Sequence, residues 1–108
     1  MLIRSQDKRI LINMNNVSSI EVGDNELRIF ADDGETIYDL GSYSTKEKAM
    51  KVLDMIQEAY ANEKLVDYTT YLQRKEIEKM DDSTILVLRN ELMKKAVFQM
   101  PEDGSVEA

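Results

Sequence analysis

The chain has 108 residues, no histidine and no cysteine, and 21 acids against 14 bases for a net charge of −7. That composition excludes an imidazole base poised near neutral pH, thiolate chemistry, disulfides and zinc or iron–sulfur sites built on cysteine. The charge argues against a general binder of duplex nucleic acid, which needs a basic stripe.

With 43% hydrophobic residues, a chain of this length can bury one core without staples. The expectation is a single α+β domain over residues 1–100 and an acidic C-terminal tail over 101–108, frayed at its end. The opening residues show no apolar signal-peptide run, and no stretch reaches the ~20 apolar residues of a membrane span. The absence of cysteine fits a reducing compartment. A cytoplasmic protein with no membrane partner is expected.

Residues 1–43 read as a four- to five-stranded antiparallel meander. Residues 2–5 add a first strand that turns through Gln6-Asp7-Lys8, and Ile10, Ile12 and Met14 alternate with Leu11 and Asn13. Asn15-Asn16 supplies a tight turn, after which Ile20 and Val22 alternate with Ser19 and Glu21. Gly23-Asp24-Asn25 is the next turn, followed by Leu27, Ile29 and Ala31 alternating with Arg28 and Phe30. Asp32-Asp33-Gly34-Glu35 is the clearest hairpin signal, since glycine suits the left-handed position of a short loop. Residues 37–40 form the next strand.

Beyond Gly41-Ser42-Tyr43, Ser44-Thr45-Lys46-Glu47 matches a capping box in which Ser44 accepts from the Glu47 amide. Ala49, Val52, Leu53, Ile56 and Tyr60 then fall on one stripe of a helix over about 45–62, with Glu47 and Lys51 four residues apart as a surface pair. A second helical segment follows from residue 61 to 82, separate or continuous with the first. Asp82 or Ser83 can cap a third helix over about 84–95, although Ile85-Leu86-Val87-Leu88 also reads as a strand. Val97-Phe98-Gln99-Met100 is a short C-terminal strand stopped by Pro101. The fold expected is thus the meander, then two or three helices, then this strand.

No catalytic constellation emerges. Asp32-Asp33 and Asp81-Asp82 sit where turns and caps want aspartate. The four glycines are too scattered for a phosphate loop, and no calcium loop or nucleophile elbow is present. The expectation is no enzyme, no cofactor and no metal. Binding is the better prospect. Arg28 and Phe30, two residues apart on a strand, project from one sheet face. They suit an anionic, ring-bearing ligand, the guanidinium taking phosphate and the ring stacking a base. Arg4 and Arg9 lie on neighbouring stretches and can join that site, and Arg89 is a further phosphate-ready side chain. Tyr60, Tyr68 and Tyr71, with methionines such as Met50, Met55, Met80 and Met93, can serve the core or a partner surface. One helix covers one face of a meander, so the other needs the later helix or another subunit, and with an edge strand open to pairing a homo-oligomer is expected.

Ile3-Arg4-Ser5-Gln6-Asp7-Lys8, Leu11-Ile12-Asn13, the run from Leu40-Gly41-Ser42-Tyr43 through Lys48-Ala49, Val52-Leu53-Asp54-Met55-Ile56 and Val97-Phe98-Gln99-Met100-Pro101 carry a resemblance. The chain resembles a family of short, largely uncharacterised proteins encoded by prophages and mobile elements of Gram-positive bacteria. The resemblance covers most of the chain outside about 61–95 and brings no catalytic residue with it. What it implies is context: a phage binding protein acting in counter-defence, by sequestering an anionic nucleotide immune signal. The alternatives are an acidic protein–protein inhibitor that blocks a host defence protein, for example a CRISPR nuclease, and a structural accessory protein of the element.

Overall fold

The computed structural model describes residues 1–23, 25–72 and 97–108, the side chains of 65–72 excepted. Six strands and one long helix run in the order β1 (Leu2–Arg4), β2 (Leu11–Asn13), β3 (Ser19–Gly23), β4 (Arg28–Asp32), β5 (Ile37–Ser42), α1 (Lys46–Leu72) and β6 (Val97–Gln99). They form two three-stranded sheets, β2-β1-β6 and β3-β4-β5. The expected single meander followed by two or three helices is therefore wrong in its central feature.

The reason lies at residues 13–17. The Asn13 side chain accepts from the Asn15 amide, and a 3-10 turn over Met14–Asn16 ends with Val17 N–H donating to Met14 O. That turn takes Met14 out of β2 and delivers the chain to a new sheet instead of a third antiparallel neighbour. The free edge of β1 is filled from the far end of the chain. Strand β6 pairs with it in parallel, Ile3 opposite Phe98, while β2 pairs antiparallel on the other side. Strand β6 is the C-terminal strand read from the sequence, and its place beside β1 makes β1 central.

In the second sheet the Asp32-Asp33-Gly34-Glu35 hairpin joins β4 to β5 as read from the sequence. Gly34 takes φ 95, and Asp33 Oδ1 accepts from the Glu35 and Thr36 amides at 2.9 and 2.7 Å. Alternation on β4 buries Ile29 and Ala31 and leaves Arg28 and Phe30 on the opposite face. Strand β5 carries a bulge: Ile29 pairs with Gly41 and Phe30 with Asp39, so Leu40 has no partner in the ladder. Its side chain is fully buried, and its released carbonyl accepts from the Gln6 amide at 2.8 Å.

That bond is one of several that Gln6 makes between the sheets. Its side-chain amide donates to Ser42 O at 3.0 Å and Pro101 O at 3.2 Å, and its Oε1 accepts from the Ser42 amide at 3.1 Å. A Cβ placed at Gly41 would stand 2.9 Å from Gln6 Cβ, so only glycine allows the two chains this close.

The helix starts one residue later than the Ser44 capping box implies. Thr45 Oγ1 accepts from the Lys48 amide at 3.2 Å, whereas the Ser44 amide is turned to Asp103 Oδ1 at 2.7 Å. Thr45 therefore caps the helix, because the C-terminal segment has already taken Ser44. Ala49, Val52 and Ile56 are buried against the sheets, with Leu53 and Tyr60 at the margin, as the stripe required. Glu47 and Lys51 do not form the expected pair, since the Lys51 ammonium donates to Glu107 O. Helix α1 continues the first helical segment without a break to Leu72. The proposed third helix over 84–95, Arg89, and the rest of the second segment beyond Leu72 lie outside the described residues, as does Asp24. Among the described residues no helix is long and apolar enough to cross a membrane.

One core unites these parts. Ile3, Ile29, Ala31, Leu40, Ala49 and Val52 are fully buried, joined by Met100 and Tyr43. Residues 101–106 pack onto the core. The Tyr43 hydroxyl donates to Pro101 O at 2.9 Å, Lys48 Nζ donates to Asp103 O at 3.1 Å, and Val106 is buried. Burial and the nearby Glu102 and Asp103 push the Tyr43 hydroxyl above its ordinary range, so it stays a donor throughout physiological pH.

Two expected outcomes follow from these contacts. Gly41→Ala should cost about 1–3 kcal/mol in urea denaturation, because the added methyl overpacks the Gln6 side chain at its Cβ. Asp33 and Asp103 are held below the usual carboxylate value of 3.8, chiefly by the amides of Thr36 and Ser44 respectively. Their stabilising contributions are complete above that unfolded value and are lost as pH falls below it through the folded ones. The urea midpoint should therefore drop below about pH 4, and Asp33→Asn should flatten that slope.

Candidate functional site

The β1–β2 turn carries an unusual density of cations for an acidic protein: Arg4, Lys8 and Arg9 within six residues. Its conformation is set by Ser5, the one buried polar residue in the described core. Ser5 N–H donates to Ile10 O at 2.8 Å, and Ser5 O accepts from the Lys8 amide at 2.9 Å. The Ser5 hydroxyl accepts from the Ile10 amide at 3.0 Å and donates to Asp7 Oδ1 at 2.6 Å. Asp7 Oδ1 also accepts from the Arg9 amide at 3.0 Å. These two bonds, the hydroxyl first, together with the nearby Arg9 charge, hold the Asp7 carboxyl below its ordinary range. Asp7 is thereby committed to the turn.

The three cations line a cleft of about 270 Å³ with Ile10, Leu11 and Val97 as its apolar wall. Arg4 projects from the face of β1 opposite to buried Ile3, and Arg4 Nε donates to Lys8 O at 3.2 Å. That bond fixes the guanidinium plane while its terminal nitrogens stay available. Leu11 and Val97, on the strands flanking β1, are 57% and 41% exposed. Lys8 has φ 67, a left-handed conformation that favours glycine and costs a side-chain-bearing residue about 1–3 kcal/mol. Among the described residues none of the three cations takes part in an ion pair. A basic, half-apolar recess of this kind suits a phosphate-bearing ligand with an apolar or aromatic part: arginine forks match phosphate oxygens, and the recess wall desolvates the rest.

Arg28 and Phe30 do share one face, as the strand period required, but that face belongs to the other sheet and neither residue lines the cleft. Arg28 Nη1 pairs with Asp39 Oδ2. The Phe30 ring lies over Gly23, whose hypothetical Cβ would be 3.4 Å from Phe30 Cε2. Across the ladder Phe30 faces Glu21 on one side and Asp39 on the other. An anion arriving there meets carboxylates first. Of the four arginine and aromatic positions named from sequence, the structure joins Arg4 and Arg9 and leaves Arg28 and Phe30 apart from them.

Lys8, Leu11 and Val97 were missed. The cluster of bases in the turn was visible, but the backbone of Lys8 and the arrival of Val97 from the opposite end of the chain were not. Tyr60, read as core or partner surface, lines a second and more apolar groove of about 330 Å³ with Met14, Val17, Ile20, Leu53 and Ile56. Among the described residues no group of three or more histidine, cysteine or acidic side chains is placed to hold a metal ion.

Replacing Lys8 by glycine tests whether the turn is kept strained for its charge. Lys8→Gly should raise stability by about 1 kcal/mol in urea denaturation, the relieved strain exceeding glycine's extra chain entropy. A loss of stability would contradict the strain.

No family model matches the chain, and neither does any curated protein or solved structure with which it was compared.

Proposed function

We propose that the chain is a non-catalytic binding protein that captures an anionic nucleotide in the Arg4–Lys8–Arg9 cleft. The observation that carries this reading is the convergence of three cations on an apolar-walled recess in a chain of net charge −7. Sequestration of a nucleotide immune signal is the role that fits both this chemistry and the mobile-element resemblance. It asks for affinity and needs no general base or nucleophile.

A second reading has its own observation. The outer face of the β3-β4-β5 sheet and its hairpin bear Glu21, Asp32, Asp33, Glu35 and Asp39 around the single Arg28. Such a face complements a basic protein partner, such as a host defence nuclease. Association through it would be salt-sensitive and indifferent to small molecules.

A thermal-shift panel of cyclic di- and trinucleotides, cyclic ADP-ribose isomers, NAD and mononucleotides separates the two. A ligand at 100 times its Kd stabilises the fold by about 2.7 kcal/mol, a clear rise in melting temperature for a chain this small. Arg9→Ala should then weaken the ligand by about 1.5–3 kcal/mol, the worth of a charged hydrogen bond, while Arg28→Ala leaves it unchanged. The opposite pattern would move the site to the second sheet, and a flat panel would favour the protein partner.

A further inference from the structure

The turn that presents Arg4, Lys8 and Arg9 is gripped by a side chain 94 residues further along. Gln99 Nε2 donates to Ser5 O at 2.9 Å and to Met100 O at 3.0 Å. Ser5 O is the same carbonyl that accepts the Lys8 amide, so two donors converge on the atom that closes the turn. The docking of β6 does not require this contact. The backbone ladder already pairs Val97, Phe98 and Gln99 with β1, and the Met100 amide donates to Arg4 O at 3.0 Å. The Gln99 amide is thus additional to strand pairing and is spent on the turn. A residue with positive φ, as at Lys8, persists only where its surroundings over-determine it. Ser5, Asp7 and Gln99 together provide that determination.

We propose that Gln99 is a positioning residue of the anion cleft: by holding the Ser5 carbonyl it keeps the strained turn in the conformation that aims its cations together. The proposal rests on the cleft reading and deepens it. It makes the C-terminal strand part of the site twice over, through Val97 as wall and Gln99 as brace. Ligand binding and the grip of β6 on the turn are then linked, each strengthening the other.

Gln99→Met keeps the length of the side chain and removes the donor. Hydrogen exchange of the Lys8 and Ile10 amides should speed up at least several-fold in this variant. Exchange at Ala31 and Val52 in the core should stay as in the parent, which separates loss of positioning from general destabilisation. Affinity for ADP and for inorganic pyrophosphate, measured by calorimetry, should fall roughly tenfold, as for a binding-competent turn reduced to about a tenth of the population. Unchanged exchange at Lys8 and Ile10 would overturn the positioning role, whatever the affinity does. Faster exchange with unchanged affinity would overturn the link between turn and site. Arg9→Ala, which leaves the Gln99 contact in place, should lose affinity with protection of Lys8 and Ile10 intact. A parent chain that binds neither these probes nor any member of the nucleotide panel would overturn the cleft reading, and the exchange data would still decide whether Gln99 holds the turn.

Discussion

The close approach of Gln6 to Leu40, Gly41 and Ser42 holds this fold together. The two sheets of three short strands share one apolar core with the helix. Here they are joined by backbone and side-chain bonds from one residue of the β1–β2 turn. The β5 bulge frees the Leu40 carbonyl for the Gln6 amide, Gly41 supplies the space, and the carboxamide spans Ser42 and Pro101. The Pro101 carbonyl accepts a second bond from the Tyr43 hydroxyl, so the C-terminal segment closes over the junction. From there Asp103 reaches Ser44 and Lys48 at the start of α1. The sheets, the helix cap and the C-terminal segment meet at one polar seam above a continuous apolar core.

The same turn has a second surface. Gln6 faces inward to the junction, while Arg4, Lys8 and Arg9 line the cleft. Anchoring one side of a short turn so firmly gives its other side little freedom, which is what a binding site needs to avoid spending affinity on ordering. The charge distribution is consistent with that division. Cations gather on the β1–β2 turn, and carboxylates gather on the outer face of the second sheet, where Asp39 occupies Arg28.

Local features were legible from the residues. The Asp32-Asp33-Gly34-Glu35 hairpin, the Ala49–Val52–Ile56 stripe and the strand before Pro101 all depend on short-range periodicity and turn chemistry. What could not be read was long-range. Nothing near Met14 announces that the chain leaves one sheet for another, and nothing near Val97 announces a parallel partner at Leu2. The helix cap moved from Ser44 to Thr45 because Asp103, distant in sequence, claims the Ser44 amide. For the site, Arg4 and Arg9 were visible as charges. Their separation from Arg28 and Phe30 depended on the partition into two sheets, which local alternation does not encode.

The most direct test of a site on the β1–β2 turn is an amide and arginine side-chain NMR titration of the whole chain with ADP and a cyclic dinucleotide. Saturable shifts should map to residues 4–11 and 97–99, with the Arg4 Nε resonance among the largest. Shifts centred on Glu21, Phe30 and Asp39, or none at millimolar ligand, would contradict it.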